Sequence, residues 1–190
     1  DLHFSHLDID SFLASYLHSH VTGHSAVAGD LVLEGPLRDP RRLTLTGNLS
    51  DVYAEIEKVK IRNGDPLRFT VDQQTLRINS LHLIGEDTDL SVAGSMQLGG
   101  EQQLNFRGQG KVGVHLVQTY DPDLTGSGLL SGLVTVTGTL NSPIVRGSLQ
   151  VENAAIADIN LPSALGELNG TLTFSQNQVT IEKLTGRTGG

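Results

Sequence analysis

The second half of this chain restates the first at a fixed spacing. Gly29, Gly35 and Pro40 return as Gly132, Gly138 and Pro143, each pair 103 positions apart. The same spacing relates Leu13 to Leu116, Thr22-Gly23 to Thr125-Gly126, and Leu37 to Leu140. It relates Ala54 and Ile56 to Ala157 and Ile159, and Ile78 and Leu81 to Ile181 and Leu184, with no gap between Leu13 and Leu184. Such self-similarity predicts one structural unit stacked on itself, not a pocket built once. The expected layout is a single repetitive domain over 1–190, with units at about 1–87 and 104–190. An extended scaffold or conduit is therefore expected, and an enzyme is not. The chain opens at Asp1 without an initiator Met and stops at Gly189-Gly190, so both ends read as cuts through a longer protein.

Within each unit the pattern is short apolar–polar alternation between turn residues, which predicts β-strands. Gly132-Leu-Val134-Thr-Val136-Thr-Gly138 is one example. Thr171–Phe174 and Gln178–Ile181 flank Ser175-Gln176-Asn177, and Leu67–Val71 and Leu76–Ile78 flank Asp72-Gln73-Gln74, so both pairs predict hairpins. Further strands are expected at Leu43–Leu49, Val52–Ile61, Leu90–Leu98, Leu104–Val112 and Leu149–Val151, about 13 in all. Parity is kept between the units. Leu31 and Leu33 match Val134 and Val136, Phe69 and Val71 match Leu172 and Phe174, and Leu76 and Ile78 match Val179 and Ile181. Alternate residues point to opposite faces, so matched parity predicts one apolar face running through both units, with Leu149 and Val151 on it. Thr, Ser, Gln, Arg and Glu are expected on the other face.

Two short helices are predicted at the same place in each unit. Asp10 can cap Ser11–His18, and Val114–Tyr120 follows Gly113 and ends at Asp121-Pro122. Helices this short cannot cover a dozen strands. An apolar face of that size exceeds the ~300–600 Å² patch of an ordinary monomer. Either the sheet folds over on itself or another molecule fills it.

The remaining signals point away from chemistry. There is no cysteine, hence no disulfide framework. No apolar run approaches the 18 residues of a membrane span, so any membrane anchor is expected outside this segment. A formal net charge of −8 repels phosphate backbones and argues against nucleic acid as a partner. Arg38, Arg41 and Arg42 then read as a solvated loop. Gly108-Gln-Gly110-Lys-Val-Gly113 matches the dinucleotide fingerprint, but a short helix and antiparallel alternation follow it, so a glycine-rich bend is expected instead. His18, His20 and His24 lie close in sequence without a matching set in the second unit, and Asp87 and Asp89 lack the spaced ligands of a calcium loop. No metal site, cofactor or catalytic residue is expected. Asn48-Leu-Ser50 and Asn169-Gly-Thr171 are glycosylation sequons by pattern alone.

One resemblance is specific enough to name. Gly132-Leu-Val-Thr-Val-Thr-Gly138-Thr-Leu140-Asn-Ser-Pro143-Ile-Val-Arg-Gly147-Ser-Leu149-Gln-Val-Glu-Asn153, with Ala155–Leu161, Leu168–Phe174, Val179–Ile181 and the Gly-rich end Gly186–Gly190, resembles the TamB family, related to AsmA-like proteins. The likeness is strongest over 125–190. It implies an all-β fold: an elongated, curved antiparallel sheet forming an open trough, or β-taco. It also implies a place in the periplasm of a Gram-negative bacterium, with the full-length protein anchored in the inner membrane. A TamA-like outer-membrane barrel would be its partner, contacted through a region outside this segment. The implied role is carriage of phospholipid between the membranes, supporting outer-membrane biogenesis and protein assembly. On that reading the groove would be lined by Leu31, Leu33, Phe69, Val71, Leu76, Ile78, Val134, Val136, Leu149, Val151, Leu172, Phe174, Val179 and Ile181, in contact with phospholipid acyl chains. The alternatives are a β-sandwich or β-solenoid segment of a surface adhesin, and a chaperone-like strand template for outer-membrane proteins.

Overall fold

The computed structural model describes residues 1–11, 24–36, 38–39, 42–56, 59–115, 124–158, 163–176 and 178–188. They form twelve strands: β1 (Leu2–Asp8), β2 (Ala26–Glu34), β3 (Thr44–Ile56), β4 (Val59–Asn63), β5 (Leu67–Asp72), β6 (Thr75–Gly85), β7 (Thr88–Gln97), β8 (Gln103–Gly113), β9 (Leu124–Thr139), β10 (Ser142–Asp158), β11 (Leu165–Ser175) and β12 (Gln178–Thr188). All belong to one antiparallel sheet in chain order, β1-β2-β3-β4-β6 and on to β12, with β5 also lying between β3 and β6. The sheet does not close, since β1 pairs with β2 and β12 with β11. The two predicted helices lie almost wholly outside the described residues. Of the first, only Asp10 and Ser11 are described, and they are helical; of the second, only Val114 and His115 are described, and they are in 3₁₀ conformation.

The described residues form twelve strands where about 13 are expected from the sequence, and in the first unit two strand boundaries differ from the expected ones. The chain does not break between Leu49 and Val52, as Leu43–Leu49 and Val52–Ile61 would have it. One long β3 runs through residues 44–56, and β4 begins at Val59. β4 and β5 then run in the same direction against β3, as two halves of one strand interrupted at Gly64–Pro66. Pro66 has no N–H to donate, so a ladder cannot run through it unbroken. Asn63 repairs the gap. Its Oδ1 accepts the Val52 N–H at 2.7 Å, and its Nδ2 donates to the Ser50 and Asp65 carbonyls at 3.2 and 2.9 Å. Asn169 acts similarly in the second unit. There the Asn153 N–H, at a bulge in β10, donates to Asn169 Oδ1 at 3.0 Å, and Asn169 Nδ2 donates to the Glu167 carbonyl at 2.9 Å. Side-chain amides thus satisfy backbone groups that the irregular ladder leaves open.

The Gly108–Gly113 segment is not a bend before a helix but the second half of β8. Gly110 has φ +141°, and a Cβ there would stand 2.1 Å from the Asp89 carbonyl oxygen. Glycine is needed for the close approach of two strands, not for a phosphate.

Packed core is scarce. Val114, Val151, Ala154 and Leu168 form one buried cluster, bordered by Leu130, Ile156, Leu165 and Leu172. Val27 and Val59 are also buried, in the first unit. Most other apolar side chains are half-buried.

Candidate functional site

Residues directly opposite in an antiparallel ladder share a face, so the pairings decide where each expected lining residue stands. One row runs Leu2, Leu31, Gly47, Phe69, Ile78, Gly94, Phe106, Val136, Val145 across nine strands. Beside it runs Leu33, Leu45, Val71, Leu76, Met96, Leu104, Gly138, Pro143. On the other side lie Leu81, Val92, Gly108, Val134, Gly147, Phe174, Val179, and then Leu83, Leu90, Gly110, Gly132, Leu149, Leu172, Ile181. A shorter row holds Val112, Leu130, Val151 and Gly170. All fourteen residues expected from the sequence therefore stand on one face.

Bulges keep that face continuous. Without the register shift between Ile78 and Leu81 on β6, the second half of that strand would turn its apolar residues to the opposite side. Ser50, left out between the Leu49 and Asp51 pairings, does the same for β3.

Exposure is uneven. Ten of the fourteen are half-buried. Leu33, Val179 and Ile181 are exposed, the last two at 57%. Val151 instead belongs to the buried cluster, because Val114, just past β8, lies over this face and packs there. The face is thus covered at one end of the β9–β11 strands, Val27 and Val59 on it are also buried, and most of its other described apolar side chains are half-buried or exposed. Its exposed apolar residues gather at the sheet edges: Leu2 and Leu7 on β1, and Val179, Ile181 and Leu184 on β12.

The opposite face departs from the expected all-polar composition. It carries Thr46, Thr70, Arg77, Ser95, Asn105 and Thr137 in one row and Asp89, Lys111, Ser131, Gln150, Thr171 and Glu182 in another. Val32, Ile84, Leu133 and Ile144 also stand there, by register. Each adjoins an apolar residue of the first face, so local alternation was ambiguous at these positions. Tyr53 lies on the polar side by its pairing with Arg62. Burial, and then the nearby Glu55 carboxylate, push its phenol above the usual tyrosine value.

The units are equivalent in register but not at one constant spacing. The ladder Leu31–Gly47–Phe69–Ile78 has the form of Val134–Gly147–Phe174–Val179. Corresponding members lie 103, 100, 105 and 101 positions apart. Connections of unequal length account for the drift. In both, a phenylalanine stands opposite a glycine. At Gly47 a Cβ would lie 2.2 Å from the Phe69 ring, so the ring fills the space the missing side chain leaves.

The polar signals do not converge. No group of three His, Asp or Glu side chains suited to a metal ion occurs among the described residues. His18 and His20 lie outside them, and His24 is exposed, 3.7 Å from Asp10 Oδ2. The Asp10 carboxylate accepts hydrogen bonds from the Ser25 hydroxyl and N–H, which hold it below the usual aspartate range. Asp87 sits in the β6–β7 turn at φ 52°, and Asp89 pairs with His82. Arg38 and Arg42 are exposed; Arg41 lies outside the described residues. No helix among the described residues is long and apolar enough to cross a membrane. Comparison of the chain with protein-family models, with curated proteins and with solved structures finds no match.

Proposed function

We propose that this chain is a segment of a TamB-like lipid conduit, whose apolar sheet face holds phospholipid acyl chains in passage between the inner and outer membranes of a Gram-negative envelope. The observation that carries this reading is the breadth of that face. Its rows cross up to nine strands of an unclosed sheet, and among the described residues most of its apolar side chains are only half-buried, full burial being confined to the Val114 cluster, Val27 and Val59. Eleven strand positions at ~4.8 Å give roughly 50 Å of path. Each methylene moved from water onto such a wall gains about 0.8 kcal/mol. Rows of Leu, Val, Ile and Gly repeat from strand to strand, which suits a tail that slides. Register shifts in β1–β2, β2–β3, β5–β6, β6–β7, β9–β10, β10–β11 and β11–β12 favour bending, as a trough requires. On this proposal the protein works in the periplasm and supports outer-membrane biogenesis, with its membrane anchor and its contact to a TamA-like barrel outside this segment.

The test is native mass spectrometry of the purified chain, alone and as Val136→Arg and Phe174→Arg. Bound phospholipid that is lost in the variants, with β-sheet content unchanged by circular dichroism, supports the conduit. Equal lipid occupancy in folded variants overturns it. A strand template for outer-membrane proteins is the second reading, and the edge at β12 favours it. All eleven residues of β12 are exposed and it pairs on one side only. Photocrosslinkers on β12 should then capture client polypeptide, whereas the conduit predicts lipid adducts from β6 to β9.

A further inference from the structure

His82 stands on the polar face of β6 with a carboxylate at each ring nitrogen. Nε2 is 2.9 Å from Asp89 Oδ1 on β7, and Nδ1 is 3.2 Å from Asp65 Oδ2 in the β4–β5 interruption. An ionised carboxylate only accepts, so both contacts are hydrogen bonds only when both ring nitrogens carry a proton. A neutral imidazole donates to one and turns a lone pair on the other. The bracketing therefore selects the cation. In keeping with this, the ring's pKa is raised above 6.5, first by the bond to Asp89 and then by that to Asp65, against a lowering from partial burial.

The place matters as much as the chemistry. Asp65 belongs to Gly64–Pro66, where the strand breaks, and the Gly64 N–H donates to the His82 carbonyl at 2.8 Å. The break borders β6, and the His82 ring links it to Asp89 on β7. The other charged groups nearby are Arg62 on β4, opposite Ile84, Lys111 on β8, opposite Asp89, Arg107 on β8, beside Ser80 and Ser91, Arg68 on β5, opposite Ser80, and Arg77 on β6. Glu86 and Asp87 are exposed in the β6–β7 turn. Among the described residues none of the five cations forms an ion pair with Asp65 or Asp89; both pair with His82.

We propose that His82 is a pH-operated staple, which ties the β4–β5 interruption to β7 when protonated and releases it when neutral. It stands independently of the lipid reading. For a group whose pKa is raised by folding, the stabilisation is complete below 6.5 and is lost as pH rises through the ring's own higher value. The staple is closed on the acid side and opens on the alkaline side.

The experiment is an NMR titration of the whole chain, following the His82 ring C–H signals and the Gly64 amide. His82 is expected to titrate above the ordinary imidazole value. Asp89→Asn lowers that value, Asp65→Asn lowers it less, and the double substitution brings it to or below the ordinary one, since burial alone then acts on the ring. Gly64 protection, corrected for intrinsic exchange, falls as pH rises through the His82 titration and becomes independent of pH in His82→Gln. A wild-type ring that titrates at or below the ordinary value overturns the proposal. So does Gly64 protection that ignores the state of His82.

Discussion

Gly108 and Gly110 lie two residues apart on one strand and one face, and an alanine at each should act in opposite directions. At Gly108 an added Cβ meets only Leu90 Cδ1, at 4.0 Å, an ordinary contact. Gly108→Ala thus mainly removes freedom from the unfolded chain and should stabilise by about 0.5–1 kcal/mol. At Gly110 the same atom would stand 2.1 Å from the Asp89 carbonyl oxygen and 2.9 Å from Leu90 Cα, with φ at +141°. Those are backbone atoms, so the strands must separate. Backbone strain of about 1–3 kcal/mol and overpacking of about 1–3 kcal/mol outweigh the entropic gain. The net loss should be about 2–4 kcal/mol. At about 2–4 °C per kcal/mol for a chain of this size, Gly108→Ala should melt about 1–4 °C higher and Gly110→Ala about 4–16 °C lower. Thermal denaturation followed at a β-sheet circular dichroism band measures both. Equal shifts for the two variants, or a Gly110→Ala as stable as wild type, would refute the claim that backbone approach, not local flexibility, explains these glycines.

Asn63→Ala should cost about 1–3 kcal/mol in urea denaturation, because it leaves the Val52 N–H and the Ser50 and Asp65 carbonyls without their side-chain partner. Asn169→Ala should behave alike through Asn153 and Glu167. Arg187→Ala should cost at most about 1 kcal/mol, and less at high salt, since the 3.0 Å pair with Glu167 is largely exposed on both sides. Asp10, whose pKa is depressed by Ser25, contributes stability that is complete above 3.8 and lost as pH falls through its lower folded value. Ser25→Ala should move its carboxyl titration back up toward the ordinary aspartate value, read by NMR.

How much of this was legible beforehand differs from element to element. The hairpins at β5–β6 and β11–β12 were plain, because their turns are polar and their flanks alternate cleanly. The β4–β5 interruption was not, because Asn63-Gly64-Asp65-Pro66 has the composition of a turn that reverses the chain, and here the strand continues beyond it in the same direction. Runs such as Leu31-Val32-Leu33 and Leu133-Val134 have no unique parity, and only cross-strand pairing assigns Val32 and Leu133 to the polar face. The glycines of β8 carried a motif whose local sequence cannot tell a bend from two strands in close contact.

Alternation along the chain determined by itself that this protein is a β-sheet with one greasy side, because side-chain direction follows from the backbone pleat alone. Only the tertiary structure decided which strands adjoin, where bulges reset the register, and which end of the apolar face Val114 covers. Those depend on hydrogen-bond ladders and packing between residues far apart in sequence, and no local pattern encodes them.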